Sequence, residues 1–218
     1  MTKTTQFCAL SLSIMACGLF STNTYAESSL TANVGVTSNY LWRGLEQTGG
    51  KAAISGGVDY AHTSGFYAGT WVSNADWAEG MTYELDVYGG YTGSFDSFEF
   101  DVGFIQYAYP DAIEDVDFSE LYTSITYGAF TLGYATLVDA QGSSFGDDSY
   151  LSLDADFTIA QEFNLSLHVG TGTDEFYAGE SFTDYSISVS KNNFSLGASK
   201  TNIDGDDVKL FIAYSVDI

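Results

Sequence analysis

"ANVGVTSNYLWRGLEQ", Ala32 to Gln47, decides the fold. Its alternate positions Ala32, Val34, Val36, Ser38, Tyr40 and Trp42 are apolar, small or aromatic. Between them lie Asn33, Gly35, Thr37, Asn39 and Arg43, mostly small or polar, with Leu41 the exception. Side chains alternate across a strand with period two, so this stretch predicts a β-strand with one greasy and one wet face. What each face touches is the question the rest of the chain answers.

Working outward, the same alternation recurs to the last residue. With Ala32–Trp42 it marks twelve candidate strands: Ala52–Tyr60, Tyr67–Trp71, Tyr83–Tyr91, Phe98–Phe104, Leu121–Tyr127, Phe130–Tyr134, Leu151–Ile159, Phe163–Val169, Tyr185–Val189, Phe194–Ala198 and Val208–Ile218. No helical periodicity competes. The connections alternate in length: short turns at 62–65, 92–97, 128–129, 160–162 and 191–193, longer acidic loops near 44–50, 74–81, 108–118, 139–148, 171–182 and 202–207. A soluble sandwich has no reason to segregate turns from loops in this way. An outer-membrane barrel does, with short periplasmic turns, long extracellular loops and an even strand count. The fold expected is therefore all-β, a transmembrane antiparallel up-and-down barrel of about twelve strands with both termini in the periplasm.

Aromatic residues cluster near the expected strand ends: Tyr40, Trp42, Tyr60, Tyr67, Tyr83, Tyr91, Phe98, Tyr127, Phe130, Phe163, Tyr185 and Phe194. Those are the depths at which girdles meet lipid headgroups. The greasy face is thus expected to touch lipid.

The N-terminus agrees with export. Lys3 gives a positive start, Phe7–Phe20 is an apolar run too short to span a bilayer, and small residues precede Ala26. Residues 1–26 read as a secretory signal peptide and 27–218 as one barrel domain. Lipoprotein processing at Cys17 is a rival, weakened because Leu19 and Phe20 continue the apolar run. Cys8 and Cys17 both lie in the signal, so the mature chain carries no disulfide framework. All 29 acids fall after Ala26 against five bases there (Arg43, Lys51, Lys191, Lys200, Lys209), a net charge of −24. That sign excludes nucleic acid as a partner.

The block Gly35–Trp77 resembles the TorF family of Gram-negative porins. The family's Ser, Tyr, Arg-Gly and Gln steps correspond to Ser38, Tyr40, Arg43, Gly44 and Gln47. Its later steps fall on Gly57, Asp59, Tyr60, His62, Ser64, Gly65, Trp71, Ser73 and Asn74. Two departures stand out: Lys51 and Ala52 where relatives often carry Pro-Ala, and a final Ile218 where such barrels usually end in an aromatic residue read by the insertion machinery. The resemblance implies an outer-membrane barrel, with outer-membrane lipid, lipopolysaccharide and the barrel-assembly machinery as partners, and small hydrophilic solutes or cations as cargo. No cofactor, metal or catalytic residue is expected.

On the expected wet face lie the acids Asp59, Glu84, Asp86, Glu99, Asp101, Glu120, Asp154 and Asp156, the bases Arg43, Lys51 and Lys209, and His168. These are the candidate pore-lining residues. Eight acids against three bases leave the interior negative, and rings of carboxylates favour cations. Alternatively, the three bases pair with acids as struts. Many other inward positions are small, among them Thr31, Asn33, Gly35, Ser55, Gly103, Ser166, Ser186 and Ser188. A narrow, cation-leaning porin-like channel is expected, with a closed structural or adhesive barrel as the alternative. An outer-membrane hydrolase ranks behind both: His62 falls in a turn, and no nucleophile-elbow spacing surrounds His168.

Overall fold

The computed structural model describes residues 27–160, 162–173 and 178–218; the signal-peptide reading falls on residues outside these. Twelve strands close an antiparallel barrel in chain order: β1 (Ser29–Thr37), β4 (Ala53–Ala61), β5 (Phe66–Asn74), β6 (Tyr83–Phe95), β7 (Phe98–Ala108), β8 (Phe118–Tyr127), β9 (Phe130–Ala140), β10 (Ser149–Ile159), β11 (Phe163–Thr173), β12 (Phe182–Lys191), β13 (Phe194–Thr201) and β14 (Lys209–Asp217). The ring closes where β1 pairs with β4 on one side and β14 on the other, Val34 facing Gly56 and Val216. A closed ladder leaves no strand edge unpaired, the condition for a sheet in hydrocarbon.

All twelve expected strands are present. Two of the five short turns are tighter than the sequence suggested: β6 runs on to Phe95, so only Asp96 and Ser97 join it to β7, and β12 runs on to Lys191. Asp96, Gly128 and Asn192 open the two-residue turns with positive φ, the twist that a tight hairpin demands. The ends of β1 and β14 share this short-turn rim, and the long loops share the other. There Asp111 accepts the Thr82 backbone N–H and hydroxyl, bonds that hold its carboxyl below the ordinary carboxylate range.

The barrel is apolar outside and polar inside. Val34, Ile54, Val87, Val102, Leu132, Leu153, Ile187 and Leu196 point outward and exposed, while Ser73, Ser124, Ser152, Ser188 and Ser199 are buried within. Such a surface is stable in contact with lipid rather than water. The outward aromatics Tyr60, Phe98, Tyr127, Phe130, Phe163, Tyr185 and Phe194 are exposed as expected for girdles.

Tyr83 and Tyr91 are half-buried, and three other expected girdle residues lie inside. β5 has the opposite phase: Phe66, Ala68, Thr70 and Val72 face out, and Tyr67 and Trp71 face in. Tyr40 and Trp42 also lie inside, Tyr40 with no exposed surface at all. The opening strand ends at Thr37, whose hydroxyl donates to the Asn39 carbonyl at 2.9 Å. Beyond it the chain leaves the wall and enters the lumen as a small hairpin, β2 (Leu41–Trp42) and β3 (Leu45–Glu46).

Candidate functional site

The hairpin turns on two residues. Trp42 pairs with Leu45 across Arg43 and Gly44, whose φ angles are +51° and +75°. Two successive positive φ values make a type I′ turn, which suits glycine at Gly44 and is uncommon for arginine at Arg43. Gly44 has a second reason to lack a side chain. A Cβ there would lie 2.8 Å from Asp184 Cβ and 2.9 Å from Thr201 Cγ2, so the tip is pressed against β12 and β13.

From this tip Arg43 reaches the opposite wall. Its two terminal nitrogens donate to the two Glu120 oxygens at 2.8 Å each, a bidentate ion pair buried on both sides. The guanidinium also sits 4.2 Å from the ring centres of Trp42 and Tyr150, sandwiched between them. Fork geometry and two aromatic faces are what an arginine offers and a lysine does not. Behind it, Trp42 meets Tyr107 and Phe118 edge-on, and Tyr40 packs against Trp71. The hairpin thus spans the lumen from β1 and β4 to β8, β10, β12 and β13.

Three hydrogen-bonded groups surround it. Glu84 on β6 accepts the hydroxyls of Tyr40 at 2.7 Å and Tyr109 at 3.0 Å. Two residues on, Asp86 is fully buried and neither of its oxygens has a hydrogen-bond partner among the described residues. Across the lumen, His168 sits between Asp154, 2.6 Å from Nδ1, and Asp184, 3.0 Å from Nε2, with the Tyr150 hydroxyl 2.9 Å from Nε2. Tyr150 itself donates to Asp184 at 2.6 Å. Towards the short turns, Tyr67 donates to Asp101 at 2.8 Å and meets the Tyr122 hydroxyl, while Tyr88 donates to Asp59. Each of these rings lies over a glycine of the neighbouring strand: Tyr67 over Gly90, Tyr122 over Gly103, Tyr88 over Gly69, Tyr150 over Gly170. A methyl group at any of them would overlap the ring. Inward glycine is therefore how a lumen of this width accommodates so many tyrosines.

The twelve expected lining residues divide accordingly. Arg43, Asp59, Glu84, Asp86, Asp101, Glu120, Asp154 and His168 are interior and, Asp86 apart, bonded to one another or to tyrosines. Asp156 accepts from Ser166 near the short-turn end, where Glu99 is exposed. Lys209 is tied to Asp206 at the long-loop end. Lys51 is corrected: it precedes β4 at the rim, 72% exposed, and pairs with Asp76. Asp184 and the luminal Tyr88, Tyr107, Tyr122 and Tyr150 are not among the expected lining residues, although Asp184 keeps the inward parity of Ser186, Ser188 and Ser190; luminal Tyr40 and Tyr67 are expected in the girdle instead. His62 lies in the turn after β4, its Nδ1 2.7 Å from the Ser64 hydroxyl.

A closed barrel with a lipid-facing exterior, a polar lumen and a segment folded into it defines a transmembrane β-barrel of the outer-membrane type. Residues 22–216 match the family described as "Bacterial protein of unknown function (Gcw_chp)", and the chain belongs to that family. None of the curated protein sequences matches it. Solved structures that share its fold include two of one porin. The KdgM porin is 11% identical over 87% of this chain and 98% of that one, with a TM-score of 0.56. The KdgM porin in complex with disordered oligogalacturonate is 10% identical over the same shares, with a TM-score of 0.57. At that identity the likeness is one of fold.

Proposed function

We propose that the protein is a porin of the TorF kind, a narrow outer-membrane channel for small solutes that leans toward cations and has its turns and termini in the periplasm. One observation carries the reading: the β2–β3 hairpin crosses a polar, acid-lined lumen and is fixed to the far wall through Arg43 and Glu120. A wall-to-wall segment of this kind narrows a barrel without filling its whole length. The interior beyond it is lined by serines and carboxylates rather than packed shut with apolar side chains.

The sign of the solute follows from charge. Arg43 is neutralised by Glu120 and Lys209 by Asp206, which leaves Asp59, Glu84, Asp86, Asp101 and Glu99 without a basic partner among the described residues. An oligogalacturonate is a polyanion, so the ligand named for the KdgM complex does not suit this interior. A hydrolase reading gains nothing from His168, whose two ring nitrogens face carboxylates and a tyrosine rather than a serine.

Single-channel recording in a planar bilayer tests the proposal. Small, discrete conductance steps with a reversal potential of cationic sign in a salt gradient are expected. A silent barrel would favour the closed structural reading, for which the aromatic packing around the hairpin speaks; anion preference would overturn the charge argument.

A further inference from the structure

Above the hairpin, at the long-loop end, lies a cavity of about 440 Å³ with four aromatic walls, apolar Leu45 and Val116, two glutamines, and two charged residues, both acidic. Trp42 and Phe118 meet edge-on at 5.8 Å, and Trp77 meets Tyr109 edge-on at 5.1 Å. Trp77 is 43% exposed, which is unusual for a tryptophan with a wall to pack into. Glu46, on the hairpin, and Asp115, on the loop between β7 and β8, supply the carboxylates. No lysine or arginine lines the cavity among the described residues. Arg43, paired with Glu120, covers one face of Trp42 from outside the cavity, and Lys51 is paired with Asp76, so Trp77 is the aromatic wall left open to a ligand.

The cavity is built rather than incidental. Asp117 accepts the Tyr109 backbone N–H at 2.7 Å and donates its own N–H to Asp115 at 3.2 Å, which fixes the acidic loop beside the Tyr109 ring. Glu46 is held by the Asn39 amide at 2.7 Å. Tyr109 in turn donates to Glu84, so the cavity wall is continuous with the buried carboxylates beneath.

We infer that this vestibule binds a small organic cation, a substituted or primary ammonium ion. Aromatic faces attract such a cation through the negative potential of their π-systems, and the attraction grows where water is partly excluded. The two carboxylates add charge complementarity that a neutral sugar cannot use and an anion cannot tolerate. An inorganic ion such as Na⁺ gains less, because it gives up a tight hydration shell for aromatic carbon. The inference deepens the channel reading by naming a solute class at its mouth, and rests on that reading only for the solute's onward passage.

The test uses the detergent-folded protein and its intrinsic tryptophan fluorescence, titrated with tetramethylammonium chloride, with NaCl at matched ionic strength and with glucose. A saturable change with tetramethylammonium alone is expected. The double variant Glu46→Gln/Asp115→Asn should weaken it about tenfold, and Asp115→Asn alone, which keeps the oxygen that Asp117 donates to, should weaken it by a smaller factor. A linear response, an equal response to NaCl, saturation by glucose instead, or unaltered affinity in both variants would each overturn the site. The titration needs no conductance. A silent barrel that still binds tetramethylammonium supports the site and refutes the channel, whereas a conducting barrel with no saturable response refutes the site alone.

Discussion

Arg43 and Glu120, 77 positions apart in the chain, form two parallel hydrogen bonds of 2.8 Å across the lumen, one partner on the inserted hairpin and the other on the far wall. Both are buried, so each is costly without the other. Replacing Arg43 by Gln should destabilise the barrel by about 3–5 kcal/mol and raise conductance, because the hairpin loses its far anchor. Glu120→Gln should do nearly the same. The double variant should cost less than the two losses added together, since no lone charge is left. Urea unfolding followed by gel migration, together with single-channel recording, separates these outcomes; additive losses would mean that the pair is not a coupled strut.

The turn of the hairpin makes a second prediction. Gly44→Ala introduces a side chain at φ +75° and within 3 Å of Asp184 and Thr201, so strain and overlap add. A loss on the order of 2 kcal/mol or more is expected. Gly142 also has positive φ, +86°, but a Cβ there meets no atom within 4 Å. Gly142→Ala should therefore cost only the backbone strain, about 1 kcal/mol. Equal effects in the two variants would show that the hairpin tip is not pressed against β12 and β13.

Orientation is open to a direct measurement. Ala112 and Gly142 lie in long loops, and Asn192 lies in a two-residue turn at the other rim. Epitopes inserted at Ala112 or Gly142 should be reached by antibody on intact cells, and an epitope at Asn192 only after the outer membrane is opened. The reverse pattern would invert the barrel.

The strands were legible because lipid outside and water inside impose a strict period of two, and eleven of the twelve segments kept the phase read from them. β5 did not. Its inward Tyr67 and Trp71 are more hydrophobic than the outward Ala68 and Thr70, and what holds Tyr67 inside is Asp101 and Tyr122, both on other strands. A tyrosine bonded to a luminal acid and one facing a headgroup look alike in sequence. The hairpin was hidden for a related reason: Tyr40 and Trp42 continue the parity of β1 although the chain has already left the wall. The one local sign was Arg43–Gly44, a pair suited to a tight reversal, and its purpose appears only when Glu120 and Tyr150 are brought across to meet it. Asp86, by contrast, kept its inward parity, but its lack of a partner could not be read from sequence.

That lack of a partner bears on selectivity. Asp86 is fully buried with both oxygens unbonded among the described residues, beside a hairpin whose own charge is neutralised by Glu120. Asp86 has no exposed surface in the closed packing, so solutes that pass this level must first open it; once the carboxylate faces water, a unit charge is felt at about 4 kcal/mol at 4 Å at an effective dielectric near 20. Asp86→Asn, nearly isosteric, should move the reversal potential in a salt gradient toward zero while changing conductance little. Neutralising Glu99 and Asp101 together should do the same from the short-turn end, with a smaller shift because Glu99 is open to solvent and Asp101 already accepts from Tyr67. Both effects should fade at 1 M salt, where the Debye length is about 3 Å. If Asp86→Asn instead leaves the reversal potential unmoved while the Glu99/Asp101 variant shifts it, the permeant path runs past the short-turn carboxylates and around Asp86, not through the space it faces.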